Sequence, residues 1–178
     1  ELPLATDAEP VEGPRILLGM NRHTAAMNLK VPSGFTRALR EEGFVIRTQG
    51  EDLILAGNDT GPRIGGRKMF DDQEYVYTGT LFAVYELLER LGCRWYYPGS
   101  FGEVVPQAKD LAVATTDEVL RPSFPVRGFW YGAARERLRD ADFNAMMHRW
   151  MLSNRFLPYG SVLDSATDGS IMGPFRKM

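Results

Sequence analysis

An amphipathic pattern is clearest near the middle of the chain. Between Thr78 and Leu91, apolar residues recur every three or four positions and define one face of a helix: Leu81, Val84, Tyr85, Leu88 and Leu91. Glu86 and Arg90 have the i,i+4 spacing of an ion pair on the opposite side. The glycine that follows, Gly92, is expected to end the helix.

Short apolar runs before this helix predict strands. The first run, Arg15–Leu18, lies between glycines and predicts a buried strand. Phe44–Thr48 and Leu53–Ala56 are separated by the polar turn Gln49–Asp52, which predicts a β-hairpin. Between the strand and the hairpin, Ser33–Gly43 has the cap, the apolar spacing and the terminal glycine of a short helix.

After the central helix, two further strands are predicted, at Cys93–Tyr97 and Leu111–Thr115. Arg121–Pro125 then contains two prolines, and the residue before each is disfavoured in a helix. This segment predicts an extended linker. We therefore divide the chain into residues 1–122 and 123–178.

The second of these parts has a β-α-β pattern. Strands are predicted at Val126–Tyr131 and from Arg155 to Tyr159. Between them, one face of a predicted helix carries large apolar side chains: Phe143, Met146, Met147, Trp150 and Met151.

Composition narrows the class of protein. The 178 residues are 44% hydrophobic and 25% charged, which is typical of a folded globular chain. A net charge of -2 gives no electrostatic argument for a nucleic-acid or anionic-membrane partner, and no apolar run is long enough to span a bilayer. The single cysteine, Cys93, excludes an internal disulfide and a cysteine-rich zinc site, which disfavours a metalloenzyme, although carboxylates could still hold a metal. We assign no metal ligand and no cofactor.

The order of several motifs resembles a known domain. The helix Gly79–Gly92 is followed by Cys93-Arg94-Trp95, by Pro98-Gly99 and by Gly102-Glu103-Val104-Val105-Pro106. Together with three further segments, this order resembles the N-terminal non-catalytic domain that precedes the barrel in α-glucuronidases of glycoside hydrolase family 67 and in related bacterial proteins. The second domain of β-hexosaminidases is similar. The further segments are Glu42–Ile46, Leu53–Gly57 and Arg121–Gly128.

The resemblance implies an α+β fold. Residues 1–122 are then an accessory domain, a two-layer sandwich of a mostly antiparallel or mixed sheet with helices on one face. Residues 123–178 are then the first β-α-β piece of an incomplete (β/α)8 barrel, because a complete barrel takes roughly 200 residues or more and this part has 56. The resemblance implies an accessory role in a glycoside hydrolase, supporting the catalytic barrel and its substrate rim. It also implies a carbohydrate partner and a secreted or periplasmic location.

Three residues are candidates for sugar binding. Arg127 matches an Arg-Gly whose arginine contacts sugar hydroxyls in hexosaminidases, although a structural salt bridge is an equal alternative. Arg94 and Trp95 could hydrogen bond to and stack on a sugar, but an aromatic residue at this kind of position more often belongs to the core. We assign no catalytic residue, because no acid/base carboxylate pair is identified and those of related barrels lie on later strands. The chain is therefore expected to be inactive alone.

Two other functional interpretations remain open at the level of sequence. The chain could be a stand-alone glycan-binding or protein-interaction module without catalysis, or an enzyme in its own right if it contains a carboxylate pair. The apolar helix face with Phe143, Met147 and Trp150 is also a candidate surface for self-association.

Overall fold

The computed structural model describes residues 2–32, 42–59, 79–124, 127 and 140–156. Within these residues the protein has an α+β fold, with a mixed four-stranded sheet and helices. The strands are β1 (Ile16–Leu18), β2 (Phe44–Gln49), β3 (Asp52–Gly57), β4 (Arg94–Trp95), β5 (Glu103–Val104) and β6 (Asp117–Leu120). The helices are α1 (Arg22–Ala25), α2 (Gly79–Arg90) and α3 (Ala141–Ser153), and a short 3-10 helix spans Ser100–Gly102.

The chain divides into two compact units. The first contains the four-stranded sheet and is built from Glu1–Asp59, Thr78–Glu86 and Lys109–Ser123. The second is built from Thr60–Tyr77, Leu87–Ala108 and Phe124–Met178. The division of the chain into domains after Pro122 stays a prediction. No helix among the described residues is both long and apolar enough to cross a bilayer.

The sheet of the first unit has the strand order β1-β3-β2-β6. β1 is parallel to β3, whereas β2 is antiparallel to both β3 and β6. The hairpin is confirmed, and its turn is tighter than predicted, with Gly50 and Glu51 between the strands. The first predicted strand is confirmed as a strand, but its predicted burial is wrong, because only Leu17 is buried and Ile16 and Leu18 are exposed. In β3, all residues from Leu53 to Gly57 are buried, so this strand lies at the centre of the core.

An ion pair ties the beginnings of β1 and β3 together. The guanidinium of Arg15 donates to both carboxylate oxygens of Asp52, from Nε to Oδ1 at 3.0 Å and from Nη2 to Oδ2 at 2.6 Å. The backbone N–H of Arg15 also donates to Asp52 Oδ1, at 3.1 Å. These bonds support the parallel register in which Ile16 lies opposite Leu53.

The fourth strand of this sheet is not where the sequence predicts it. Residues 111–115 form no strand, and the side chain of Leu111 is 65% exposed. The strand is β6, which follows directly. It is held to β2 by the Arg47–Asp117 ion pair at 2.7 Å and, just before its first residue, by three hydrogen bonds between Thr48 and Thr116. Cross-strand polar contacts therefore determine which segment pairs, whereas the prediction followed hydrophobicity.

Helix α2 confirms the predicted helix, and Gly92 follows it with φ of 99°. The N–H of Gly92 donates to Glu89 O and the N–H of Cys93 to Leu88 O, which is the bonding pattern of a Schellman cap. Four residues of the predicted apolar face lie within α2, and all four are only half-buried: Leu81, Val84, Tyr85 and Leu88. The deeply buried side chains are Phe82, Ala83 and Leu87, on a neighbouring face.

The start of α2 explains this rotation. A Cβ on Gly57 would lie 1.9 Å from the carbonyl carbon of Gly79, so the end of β3 and the start of α2 are in direct backbone contact. Asp59 accepts the N–H of Thr80 at 2.8 Å and also the Thr80 hydroxyl. Because Gly79 is fixed against β3, the positions three and four residues later, Phe82 and Ala83, share its buried side.

In the second unit, α3 confirms the predicted helix, and Met147 and Met151 are buried as its apolar pattern indicates. His148 is also buried. The strand predicted over Cys93–Tyr97 is shorter and includes only Arg94 and Trp95.

Other predicted elements lie wholly or partly outside the described residues. These are the helix over Ser33–Gly43, the strand over Val126–Tyr131 and the strand from Arg155 to Tyr159. Of the last, Arg155 and Phe156 are described, and they form a turn after α3 instead of a strand.

Candidate functional site

The second unit contains an aromatic pocket of about 300 Å³. We call it the aromatic pocket throughout. Its lining combines three aromatic side chains with acidic, basic and hydroxyl groups: Trp95, Tyr97, Gly99, Ser100, Glu103, Asp142, Ala145, Met146, Arg149 and Trp150. Its volume lies at the lower end of the range for small-molecule sites, roughly 300–1,000 Å³, which suits a small ligand or one end of a longer one.

One wall of the aromatic pocket is the β4–β5 hairpin and its connection. In this hairpin Trp95 lies directly opposite Glu103. The indole N–H of Trp95 donates to Glu103 Oε1 at 3.1 Å, which orients the ring against the carboxylate. Trp95 is half-buried, whereas Tyr97 is 64% exposed. This wall therefore presents the Trp95 ring, which is held by a hydrogen bond, and the Tyr97 ring, which is exposed to solvent.

The other wall is one face of α3. Asp142, Ala145, Met146, Arg149 and Trp150 follow the i, i+3, i+4, i+7, i+8 spacing of a single helix face. The helix is capped at its start by Asp140, whose side chain accepts the N–H of Phe143 at 3.0 Å. At its end, Phe156 N–H donates to Met151 O and Arg155 N–H to Leu152 O.

Direct hydrogen bonds join the two walls. The carbonyl oxygen of Trp95 accepts the indole N–H of Trp150 at 2.9 Å and the side-chain amide of Asn154 at 3.0 Å. The Trp150 ring also packs on Phe156, with ring centroids 6.3 Å apart. Both tryptophans are therefore held in position by contacts that do not depend on a ligand.

The pocket's side chains suit recognition of a polyhydroxylated ring. Flat aromatic faces pack on the apolar C–H face of a pyranose, and carboxylates and guanidinium groups hydrogen bond to its hydroxyls. Glu103 and Asp142 supply acceptors, and Arg149 supplies donors. Among the described residues, no group of three or more His, Cys, Asp or Glu side chains is placed to hold a metal ion.

Of the three predicted binding residues, Trp95 lines the aromatic pocket, and Arg94 and Arg127 do not. Arg94 Nη1 donates to the backbone carbonyls of Glu89 and Cys93, at 2.6 and 2.7 Å, and so supports the end of α2. Arg127 Nε donates to Arg155 O at 3.0 Å, and its Nη1 donates to Phe124 O at 2.8 Å. The structure thus does not bring the three residues together in one site.

The remaining lining residues were missed by the sequence analysis. The sequence pattern places Trp150 on an apolar helix face that is a candidate for self-association, and it places Glu103 only within a family motif. The signal for α3 was present, since Asp142, Arg149 and Trp150 already have the spacing of one helix face. The sequence does not show that this helix face packs on the β4–β5 hairpin, about 50 residues earlier in the chain, because that packing is a tertiary contact.

Comparison with protein-family models, with curated proteins and with solved structures finds no match to this chain.

Proposed function

We propose that this chain binds carbohydrate through the aromatic pocket, as an accessory region of a glycoside hydrolase. The observation that carries the proposal is the pair of tryptophans, Trp95 and Trp150, held beside two carboxylates and a guanidinium in one pocket. Sugar sites need apolar faces for stacking together with hydrogen-bonding groups for hydroxyls, and this pocket has both.

The hydrolase part of the proposal comes from the resemblance to the domain that precedes the barrel in α-glucuronidases and β-hexosaminidases. Under this proposal, the sheet and its helices are the two-layer accessory domain, and residues 123–178 are the first β-α-β piece of a (β/α)8 barrel. The accessory region supports the barrel and is inactive alone. A polysaccharide-degrading enzyme of this kind acts outside the cytoplasm, so we propose a secreted or periplasmic location.

Carbohydrate binding is tested with the purified chain and a panel of neutral and charged oligosaccharides, by calorimetry or NMR titration. We expect saturable binding to at least one oligosaccharide. Replacing Trp95 by Ala removes the stacking face but keeps the backbone carbonyl that accepts from Trp150 and Asn154. Affinity should therefore fall at least about tenfold, or about 1.4 kcal/mol, with the fold preserved.

The neighbouring aromatic residue provides a matched control. Tyr96 is as exposed as Tyr97, at 64%, but it does not line the aromatic pocket. Tyr96→Ala should leave the affinity unchanged, whereas Tyr97→Ala should weaken it. Equal losses in all three variants, or no binding of any sugar by the native chain, would contradict the proposal.

The accessory role is tested separately, by reading the source gene beyond the codon for Met178. A continuing open reading frame with alternating strands and helices, and with Asp or Glu at strand ends, would support the hydrolase. A stop codon directly after Met178 would instead favour a stand-alone glycan-binding module, with the same pocket and no barrel.

A further inference from the structure

The charged groups of the aromatic pocket constrain the kind of sugar it can take. Among the lining residues that the structure describes, Glu103 and Asp142 contribute two carboxylates and Arg149 contributes one guanidinium, a net charge of one negative. No ion pair links Asp142 or Arg149 to another described residue. The side chains of Asp142 and Arg149 are therefore available to a ligand, and the described part of the lining is weakly anionic.

The position of Glu103 makes this charge relevant to a stacked ring. Its Oε1 accepts the indole N–H of Trp95, so the carboxylate lies at the edge of the ring on which a sugar would stack. A ligand seated on Trp95 consequently lies beside a negative charge. On the facing helix, Asp142 adds a second negative charge two turns before Arg149.

From this arrangement we infer that the aromatic pocket selects an uncharged sugar residue and discriminates against uronic acids. The inference rests on the proposed carbohydrate binding and narrows its ligand class. Hydroxyl groups can donate to the two carboxylates and accept from the guanidinium, so a neutral pyranose satisfies all three groups. A uronate carboxylate brings a further acceptor-only anion beside Glu103 and Asp142, and the like charges repel.

Matched ligands test this selectivity. Methyl glucopyranoside and methyl glucopyranosiduronate differ only in the oxidation of C6, and the corresponding galacto pair covers a second configuration. The four glycosides are titrated into the native chain at pH 7 by NMR, first at low salt and then at 1 M NaCl. We expect each uronate to bind about fivefold or more weakly than its neutral partner at low salt. The difference should shrink at 1 M NaCl because salt screens the repulsion.

A double variant tests whether the pocket carboxylates cause the selectivity. Glu103→Gln with Asp142→Asn leaves Arg149 as the charged side chain among the described lining residues, and the amide introduced at position 103 keeps a carbonyl oxygen that can accept the Trp95 N–H. In this variant the preference should reverse, so that the uronate binds more tightly than its neutral partner. Glu51→Gln, which removes one negative charge from an exposed turn outside the lining, should leave the native preference unchanged.

The outcomes separate this inference from the function on which it rests. If the native chain binds the uronate as tightly as the neutral glycoside, or the double variant keeps the native preference, the inference is overturned while carbohydrate binding stands. If the native chain binds no oligosaccharide in the earlier panel, the proposed function fails, and the inference fails with it.

Discussion

Single side chains fix the register of the sheet through charge. The two-point bond between Arg15 and Asp52 joins the segment before β1 to the first residue of β3. This hydrogen bonding to the Arg15 guanidinium lowers the pKa of Asp52 from its ordinary value, and the positive charge acts in the same direction. The ionised carboxylate is therefore favoured by folding.

The lowered pKa predicts a specific pH dependence. Because the folded pKa of Asp52 is below the unfolded one, its contribution to stability is complete above the unfolded value of about 3.9 and is lost as the pH falls through the folded value. Asp52→Asn should therefore lose less free energy of unfolding than the native chain between pH 5 and pH 2. Urea unfolding at each pH measures this.

The adjacent acidic residue is the control for this prediction. Glu51 is exposed in the hairpin turn, so Glu51→Gln should follow the native pH dependence. Identical pH profiles for the native chain and Asp52→Asn would show that the ion pair does not couple protonation to folding.

Trp95 and Arg94 show how much of the candidate site the sequence could predict. Trp95 is a candidate from the sequence because its ring could stack on a sugar, although an aromatic residue at the end of a helix-strand unit more often belongs to the core. Arg94 was equally plausible from the sequence, yet its guanidinium bonds the carbonyls at the end of α2. The carbonyls within reach of Arg94 depend on how the backbone turns at Gly92, and this turn could not be derived from the residue types alone.

At the scale of elements, β3 and α2 are in direct backbone contact at Gly57. An alanine at Gly57 would place its Cβ within 2.2 Å of the backbone of both Gly79 and Thr80. Since backbone cannot move aside as a side chain can, Gly57→Ala should destabilise the protein by roughly 3 kcal/mol, the upper end for overpacking. Urea or thermal unfolding followed by circular dichroism measures this.

Gly50 supplies the comparison for this substitution. Gly50 has φ of 63° in the hairpin turn, and an added Cβ would meet no other atom. Gly50→Ala should therefore lower the free energy of unfolding only through the strain of the left-handed backbone, by about 1 kcal/mol. If the two alanine variants are equally stable, the close approach of β3 and α2 is not a constraint on the fold.

The elements that the sequence predicted well are those with strong local signals. The β2–β3 hairpin, α2 with its terminal glycine, and α3 each have a periodic pattern bounded by turn or capping residues. The predicted buried face of α2 and the strand predicted at residues 111–115 were wrong for a common reason. Phe82 and Leu87 are as apolar as the predicted face, and residues 111–115 are more apolar than β6, so tertiary contacts decided both.

At the scale of the whole molecule, α2 belongs to both units. Residues 79–86 lie in the first unit and residues 87–90 in the second, within one uninterrupted helix. Because breaking a helix in its middle leaves backbone groups unpaired, we expect the two units to unfold together.

Tryptophan fluorescence can test this coupling because the segments of the first unit contain no tryptophan. Fluorescence therefore reports on the second unit, and circular dichroism reports on both. Gly57→Ala, a change in the first unit, should lower the urea midpoint by the same amount with either method. A fluorescence midpoint that stays at its native value would show that the units unfold independently.

The pairing of β2 with β6 has a consequence for how the chain is made. Arg47 and Asp117 are 70 positions apart, so one edge of β2 has no partner until the residues of β6 have left the ribosome. Until then, its unpaired N–H and C=O groups are available to another nascent chain. Contacts of such long sequence separation also form slowly. The newly synthesised chain is therefore most vulnerable to aggregation before residue 117 appears, and a chaperone that covers this edge should raise the yield of folded protein.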